Sequence, residues 1–268
     1  GSLPFSLSGA LRGGVYALPG DVSSQFISGL LFALPLLGQD SQIRLTSPLR
    51  SAGYVDMTRD VLRRFGVRSM RTEDGFSVPG GQTYRLPAHE LAPEGDWSGA
   101  AVWLAVNALG GRIALRGLKD DSLQSDRRMA QLACALPGTV DIADIPDLLP
   151  LLCVLAAFKP AGTRFTHAGR LRYKESDRLN GCARLICDLG GLAQAEEDAL
   201  LVQPRPLTGG ETDARGDHRM AMAAAAAACV CPQGVLLRGA ECVDKSYPAF
   251  WADYKRLGCL LYTSDAAD

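Results

Sequence analysis

Two cations, Lys174 and Arg178, lie at the predicted start of a helix in the string Lys-Glu-Ser-Asp-Arg-Leu. The first turn of a helix has free N–H groups and the positive end of the helix dipole, which disfavours cations there. Either the two side chains extend harmlessly into water, or an anion lies between them and the free N–H groups. The second arrangement would be a site for a carboxylate or a phosphate.

The same arrangement recurs further along the chain. Arg219 follows Asp217, the predicted N-cap of an alanine-rich helix. Lys245 precedes Ser246, a possible cap, and Pro248, which suits an early helical position. Helix starts and basic side chains bind carboxylates and phosphates together, so the recurrence favours one shared polyanionic ligand over unrelated surface cations.

Polar groups at other predicted helix starts suggest two more parts of the site. Ser23, Ser24 and Gln25 follow a Pro-Gly turn, where hydroxyls, an amide and free N–H groups can cradle a phosphate. A Ser-Ser pair is also an ordinary N-cap. Asp147 precedes an almost wholly apolar helix, and it is either a cap or a base at the mouth of that helix.

Alternating strands and helices position these residues. Before Pro87 the sequence predicts a β-α-β-α-β-β unit, with strands over 13–18 and 42–46, helices over 25–37 and 54–65, and extended stretches over 69–78 and 82–86. Residues 87–93 interrupt both periodicities and form the predicted linker.

The pattern restarts after the linker. Helices are predicted over 98–109, 125–136, 148–158, 175–189, 217–230 and 247–257, and strands over 112–115, 163–167, 192–202 (as a pair) and 235–237. This alternation predicts an α/β fold class that uses one supersecondary unit several times.

Composition restricts the class of protein. The 268-residue chain is 47% apolar with a net charge of −1 and interspersed signs, so we expect neither a nucleic-acid nor a membrane partner. Scattered histidines and the spacing of the cysteines predict no metal site and a reduced, cytoplasmic protein. Five cysteines within apolar helical stretches are expected to be small buried hydrophobes: Cys134, Cys153, Cys182, Cys187 and Cys229.

Five strings, in this order, resemble the enolpyruvyl transferase family of 3-phosphoshikimate 1-carboxyvinyltransferase, also called 5-enolpyruvylshikimate-3-phosphate synthase. They are Asp-Val-Ser-Ser-Gln-Phe (21–26), Ile-Pro-Asp (145–147), Lys-Glu-Ser-Asp-Arg-Leu (174–179), Asp-His-Arg-Met-Ala-Met (217–222) and Lys-Ser-Tyr-Pro (245–248). The resemblance covers roughly residues 3–258. It implies transfer of the enolpyruvyl group of phosphoenolpyruvate to the 5-hydroxyl of shikimate 3-phosphate, with release of phosphate, in aromatic amino acid biosynthesis.

The resemblance also implies roles for individual residues. Asp147 would be the base at the 5-hydroxyl, Glu175 would take part in proton transfer at the methylene carbon, and Lys174 would be the third catalytic residue. Shikimate 3-phosphate would contact Ser23, Ser24, Gln25, Ser51, Tyr54, Asp147, Arg170 and Lys174. Phosphoenolpyruvate would contact Gln25, Arg178, Arg219 and Lys245. The family needs no cofactor or metal, and the full-length enzyme is expected to be a monomer.

The family fold is two globular domains, each built from three β-α-β-α-β-β units, with the active site between them. By that resemblance, residues 3–88 are the last unit of an incomplete first domain and 89–258 are the second domain. Residues 259–268 break the pattern and are expected to be a non-native tail. The family's Leu-Pro-Gly-Ser-Lys-Ser and Asn-Ala-Gly-Thr segments have no counterpart, so we expect an N-terminally truncated chain that is weakly active or inactive alone.

Two other functions stay open. The sister enzyme that transfers enolpyruvate to UDP-N-acetylglucosamine shares the fold, although the Ser-Ser-Gln and Lys-Glu-Ser-Asp-Arg strings favour the shikimate enzyme. The chain could instead be a non-catalytic anion-binding fragment.

The pKa of each predicted catalytic carboxyl follows from its neighbours. The apolar run after Asp147 should raise its pKa, whereas the helix start and Lys174 should lower it. We expect the balance to bring the pKa of Asp147 closer to the working pH, where a base is most useful. Glu175 lies between Lys174 and Arg178, so its ionised form should be favoured more strongly.

Overall fold

The computed structural model describes residues 4–6, 8–88 and 90–262. The chain divides into two compact units, one of Gly1–Pro93 with Leu123–Ser125 and one of Glu94–Ser122 with Asp126–Asp268. The assignment of residues 3–88 and 89–258 to two family domains stays a prediction. Residue 3, residue 89 and the last six residues of the predicted tail lie outside the described residues.

The first unit contains one mixed four-stranded sheet. Its elements, in chain order, are β1 (Val15–Leu18), α1 (Ser24–Ala33), β2 (Ser41–Leu45), α2 (Ala52–Arg64), β3 (Met70–Thr72) and β4 (Gly75–Val78). The strand order is β1-β2-β4-β3, in which β1 and β2 are parallel and β4 is antiparallel to both β2 and β3. The stretch 82–86, predicted as extended, belongs to no strand.

Apolar side chains at helical spacing join α1 and α2 to this sheet. Ile27 and Leu31 of α1 are fully buried and pack with Val55 of α2 and with Ile43 and Phe76 of the sheet. The spacing of four residues places Ile27 and Leu31 on one face of the helix. One face of α1 therefore supplies much of the core of this unit.

Gly75 in β4 is a position where a side chain cannot fit. Its φ is +157°, and a Cβ there would lie 2.0 Å from the carbonyl oxygen of Ile43. We expect Gly75→Ala to destabilise the protein by about 1–3 kcal/mol, because the strained backbone and the contact with β2 both oppose it.

Gly29, inside α1, has nothing within 4 Å of an added Cβ. Gly29→Ala should therefore stabilise by about 0.5–1 kcal/mol. Denaturant unfolding of the two variants measures both effects, and similar values for both would contradict this account.

The second unit contains two sheets. The larger one is built from β5 (Thr139–Asp141), β6 (Thr163–Thr166), β7 (Leu192–Ala195) and β8 (Ala199–Gln203). Its order, β5-β6-β8-β7, and its strand directions repeat those of the first unit. The smaller sheet pairs β9 (Gly210–Asp213) with β10 (Val235–Arg238) in parallel. The predicted β-α-β-α-β-β unit is therefore present twice.

In the described part of the second unit, six α-helices complete the fold: α3 (Trp97–Ala108), α4 (Met129–Cys134), α5 (Leu149–Ala157), α6 (Arg178–Asp188), α7 (His218–Ala228) and α8 (Phe250–Arg256). Every residue of α5 is buried, and α3 and α7 are buried along most of their length. A helix that is apolar on all faces must lie inside the protein. These three helices pack against one another and form the centre of the core.

Several predicted elements differ from the structure. The predicted strand 112–115 has no strand partner among the described residues. Both backbone groups of Ile113 bind the side chain of Asn107 instead, at 2.7 and 2.8 Å. The helix predicted over 125–136 is a 3-10 turn, Ser125–Arg128, followed by the short α4. The strands β5 and β9 were not predicted.

The helix after Lys245 begins later than predicted. Lys245 ends a 3-10 turn, Ala240–Lys245, and α8 starts only at Phe250 without a side-chain cap. The interpretation of Lys245 as a cation at the start of a helix is therefore wrong, and so is the capping role of Ser246.

The cysteines only partly follow the prediction. Cys153 and Cys182 are buried, but Cys134, Cys187 and Cys229, which follows the last residue of α7, are exposed. Within the described ranges, no group of three or more His, Cys, Asp or Glu side chains could hold a metal ion. None of the helices described is long and apolar enough to cross a membrane.

Candidate active site

Two helix starts of the first unit lie at one edge of its sheet. The parallel neighbours β1 and β2 are followed by α1 and α2, so both helices begin at the carboxyl ends of their strands. Contacts between the intervening loops fix this arrangement, since the amide of Gly20 donates to Ser47 Oγ at 3.0 Å and the amide of Arg50 donates to the Gly20 carbonyl at 2.9 Å.

The predicted phosphate-binding residues of this unit occupy those two helix starts. Ser23 caps α1 by accepting from the amide of Gln25 at 3.3 Å, and Ser24 is the first residue of the helix. Ser51 precedes α2, is 4% exposed and has a φ of +55°. A non-glycine residue in the left-handed region stores strain, which is often found at binding sites. Tyr54 lies in the first turn of α2.

In the second unit, three helix starts meet at the guanidinium of Arg178, the first residue of α6. Nη1 donates to Asp147 Oδ1 at 2.6 Å, and Nη2 donates to Glu175 Oε2 at 2.9 Å. Nε and Nη2 donate to the two carboxylate oxygens of Asp217 at 2.9 and 3.2 Å. Asp147 lies in the 3-10 turn before α5, and Asp217 caps α7. The side chain of Arg178 is only 1% exposed.

The cation at the start of α6 is therefore balanced by the protein's own carboxylates. Burial alone would lower the pKa of Arg178, but Asp147 and Asp217 outweigh it and raise that pKa further. Four of the five N–H donors that a guanidinium carries are engaged by these carboxylates. We call Arg178 with Asp147, Glu175 and Asp217 the carboxylate cluster. A ligand anion could reach the guanidinium of Arg178 only at the edge of this cluster.

Arg219, the second residue of α7, is bound much more loosely. Nη2 lies 3.5 Å from Asp147 Oδ2, and Nη1 lies 3.4 Å from the carbonyl oxygen of Ser98. Its buried Nε has no hydrogen-bond partner in the part of the chain that the structure describes. Of the two arginines, Arg219 therefore has more donor capacity left for a ligand.

The remaining predicted residues of the second unit surround this cluster. Lys245 Nζ donates to Glu175 Oε1 at 3.0 Å, and the lysine side chain is 57% exposed. Arg170 donates to the carbonyl oxygen of Ala143. Lys174 is accessible, yet nearby protein atoms desolvate its ammonium and lower its pKa, while Asp147 opposes this shift.

The expectation for the pKa of Asp147 was wrong. Burial raises it, as the apolar run suggested, but Arg219, Arg178 and Lys174 outweigh burial and lower the pKa to about 2. Sequence reasoning included Lys174 but missed that two arginines from other helix starts also lie beside this carboxyl. The pKa of Glu175 is also lowered, because its hydrogen bonds and the nearby cations Lys245 and Arg178 outweigh its partial burial. Only the direction predicted for Glu175 agrees with the structure.

Asp126 is a buried carboxyl that sequence reasoning missed. It is 2% exposed, and its Oδ2 accepts a hydrogen bond from Ser98 Oγ. Its Oδ1 has no hydrogen-bond partner among the described residues. Burial raises the pKa of Asp126 to about 6, although Ser98 and Arg219 act in the opposite direction. The string Ser-Asp at 125–126 was read only as a helix start, so nothing in the sequence pattern marked this residue.

Asp126→Asn should change stability in a pH-dependent way. The folded protein holds the proton of Asp126 up to about pH 6, whereas an unfolded chain releases it near pH 4. Ionised Asp126 therefore reduces stability as pH rises from about 4 to 6, and Asn removes that cost. We expect Asp126→Asn to gain about 2–3 kcal/mol relative to the wild type between pH 4 and pH 7.5. Denaturant unfolding at both pH values measures this, and a difference that does not vary with pH would contradict it.

Asp217 is the second residue whose importance the sequence did not reveal. It was predicted as an N-cap, and it does accept from the amide of Arg219 at 3.0 Å. It also binds Arg178, and Ser176 Oγ donates to it at 3.1 Å. Its position before Arg219 suggests a cap, but its partners at 176 and 178 depend on the tertiary fold.

Comparisons with known proteins agree with the resemblance inferred from the motifs. The profile of the EPSP synthase family (3-phosphoshikimate 1-carboxyvinyltransferase) matches residues 1–136 and 134–254. The chain is 40% identical to the 3-phosphoshikimate 1-carboxyvinyltransferase of Clostridium acetobutylicum, covering 96% of the chain and 64% of that relative. It is also 40% identical to the enzyme of Clostridium kluyveri, covering 96% of the chain and 65% of that relative. The chain thus spans less than two thirds of these curated relatives.

Solved structures show the same fold. An EPSP synthase from Acinetobacter baumannii superimposes with a TM-score of 0.77 at 23% identity, covering 92% of the chain and 63% of that structure. The enolpyruvyl transferase NikO from Streptomyces tendae gives a TM-score of 0.70 at 17% identity, covering 93% and 65%. At these identities the likeness shows the α/β fold with mixed sheets and nothing finer.

Proposed function

Because the chain belongs to the EPSP synthase family, we propose that it forms most of an enzyme that joins phosphoenolpyruvate to shikimate 3-phosphate. The proposed reaction transfers the enolpyruvyl group to the 5-hydroxyl of shikimate 3-phosphate and releases inorganic phosphate. The whole protein's activity, including this choice of substrates, is part of the proposal.

The observation that carries the proposal is the position of Asp147. Its carboxylate lies at the start of a buried helix, 2.6 Å from Arg178 and 3.5 Å from Arg219. A carboxylate among preorganised cations can accept a proton from a substrate hydroxyl, while the cations stabilise the negative charge that develops on the adduct. Few structural roles would need both arginines beside one carboxylate.

In the proposed reaction, the 5-hydroxyl oxygen bonds to carbon 2 of phosphoenolpyruvate as Asp147 takes the hydroxyl proton. The methylene carbon gains a proton that we assign to Glu175 as a relay from solvent, since its lowered pKa keeps the free side chain ionised, with Lys174 as the neighbouring cation. The tetrahedral adduct then loses phosphate from carbon 2, the departing phosphate takes the proton held by Asp147, and the methyl group returns a proton through Glu175 to solvent. The atoms balance without any redox partner.

For shikimate 3-phosphate we propose the two helix starts of the first unit together with Arg170 and Lys174. Ser23, Ser24 and Gln25 would hold the phosphate with hydroxyls and free N–H groups, as helix starts commonly do. Ser51 and Tyr54 are assigned to the same ligand, and the strained backbone of Ser51 supports its role.

For phosphoenolpyruvate we propose Arg219 as the principal contact, with Lys245, Arg178 and Gln25 as further contacts. The unpartnered Nε and the long hydrogen bonds of Arg219 support this order. Arg178 is already occupied by three carboxylates, so it would act mainly by holding Asp147 and Glu175 in place.

Turnover tests the proposal. We define the completed enzyme as this chain extended by the N-terminal third of the Clostridium acetobutylicum relative. It should release phosphate from phosphoenolpyruvate only when shikimate 3-phosphate is present, and mass spectrometry should detect the enolpyruvyl product. The chain alone should turn over at least about 10²–10³ times more slowly, because even one missing charged donor costs that much.

Two outcomes would favour the alternatives. Phosphate release that depends on UDP-N-acetylglucosamine would assign the chain to the sister activity. Binding of shikimate 3-phosphate by the completed enzyme without any turnover would identify a non-catalytic anion-binding protein.

A further inference from the structure

Ser98, at the start of α3, is fixed by two carboxylates. Its amide donates to Asp96 Oδ1 at 2.9 Å, and its hydroxyl donates to the buried Asp126. Its carbonyl oxygen is the acceptor for Arg219 Nη1 at 3.4 Å. A continuous chain of contacts therefore runs from Asp126 through Ser98 to Arg219, and from Arg219 on to Asp147.

Charge links the same residues. Arg219 favours the ionised form of Asp126, whereas Asp147 and Asp96 oppose it. The Arg219 guanidinium is thus attracted both to Asp126 and to Asp147. If the attraction to Asp126 were lost, the Arg219 guanidinium would move towards Asp147 and pair with it more closely. The N–H donors of Arg219 would then be less available to a ligand.

We propose that Asp126 is a positioning residue for Arg219 in phosphoenolpyruvate binding, acting through Ser98 and through its own charge. This inference rests on the proposed function, because it assigns Arg219 to that substrate. Asp126 does not touch the substrate in this account. It keeps Arg219 from closing onto Asp147 and so leaves the guanidinium available to the anion.

The first test needs no ligand and uses the chain as it is. The side-chain Nε–H resonance of Arg219 is followed by nitrogen–proton NMR between pH 5 and 8 and is assigned by its loss in Arg219→Lys. It should shift with a midpoint near pH 6 in the wild type, where Asp126 ionises. The shift should be absent in Asp126→Asn. His218 also lies beside Arg219, and an inflection caused by His218 would persist in Asp126→Asn.

The second test measures binding of phosphoenolpyruvate to the completed enzyme by calorimetry. Asp126→Ala and Ser98→Ala should each weaken it about three- to tenfold, and the double variant should be no weaker than Asp126→Ala alone, since the Ser98 hydroxyl acts only through its bond to Asp126. Binding of shikimate 3-phosphate should change less than twofold. Asp126→Asn, which keeps an acceptor for Ser98, replaces Asp126→Ala if that variant does not fold. The ratio of wild-type to Asp126→Asn affinity should approach one below pH 6, where both side chains are neutral.

The outcomes separate the two proposals. A completed enzyme that binds no phosphoenolpyruvate would count against the proposed function, whereas the NMR titration of the chain would still decide whether Asp126 controls Arg219. A wild-type Arg219 resonance that does not respond near pH 6 would overturn the inference. Unchanged phosphoenolpyruvate binding in Asp126→Ala, or additive losses with Ser98→Ala, would do the same. A loss of thermal stability without these changes would identify Asp126 as a structural residue only.

Discussion

Asp147→Asn in the completed enzyme should lower turnover by about 10²–10⁴. Asn keeps the shape of the side chain but cannot accept the proton of the 5-hydroxyl. The pKa of Asp147 is held at about 2, so the wild-type carboxylate is ionised throughout the working range of pH. We therefore also expect kcat/KM to show no inflection from Asp147 between pH 5 and 8. Steady-state phosphate release measures both.

Binding provides the control for this variant. Affinity for shikimate 3-phosphate should change much less than turnover, because its phosphate is assigned to Ser23 and Ser24. Glu211→Gln changes an exposed carboxylate on β9 of the same unit and should leave turnover intact. If Asp147→Asn retained full turnover, Asp147 would be only part of a helix start and another group would have to be the base.

Arg178→Met should reduce the free energy of unfolding by about 3–5 kcal/mol, because it removes one partner of a buried ion pair. The carboxylate of Asp217 is fully buried and would lose two hydrogen bonds to Arg178. Asp147 and Glu175 would each lose their bond to the guanidinium as well. Met has a similar length, so the change leaves uncompensated charge rather than a large cavity. Denaturant unfolding followed by circular dichroism measures the loss.

Two further variants test whether the loss of stability comes from the unpaired buried charge. Asp217→Asn added to Arg178→Met should recover about 0.5–3 kcal/mol, since it removes part of the unpaired charge. Arg238→Met breaks an exposed pair with Glu211 and should cost little stability, because water screens that pair. An Arg178→Met protein as stable as the Arg238→Met protein would show that the carboxylate cluster contributes little to folding.

Local sequence patterns were sufficient for much of the fold. Apolar spacing located α1, α2, α6 and α7 to within a few residues, and the caps at Ser23 and Asp217 accept from backbone amides as expected. Gly66 follows α2 with a φ of +80°, the left-handed conformation in which glycine commonly ends helices. These features depend on neighbours within one or two turns, so the sequence contains the necessary information.

Features that depend on distant partners were harder to predict. The stretch 112–115 has the apolar alternation of a strand, but its backbone is held by Asn107, and no strand in the described ranges pairs with it. The pKa of Asp147 depends on Arg178 and Arg219, which reach it only through the packing of α5, α6 and α7. The motifs identified the predicted site residues. The binding of Arg178 to three carboxylates depends on the tertiary structure and was not predicted.

The carboxylate cluster around Arg178 also has a consequence for how the protein folds. Its bonds to Asp147 and Asp217 join residues that are 31 and 39 positions apart in the chain. Closing such loops costs entropy before the contacts form, and long-range contacts slow folding. We therefore expect the cluster to assemble late, together with the helix core, and not as an early local nucleus. Amide protons at the starts of α5, α6 and α7 should therefore be protected from hydrogen exchange. All three helix starts should lose this protection together, in one cooperative step, when the second unit unfolds.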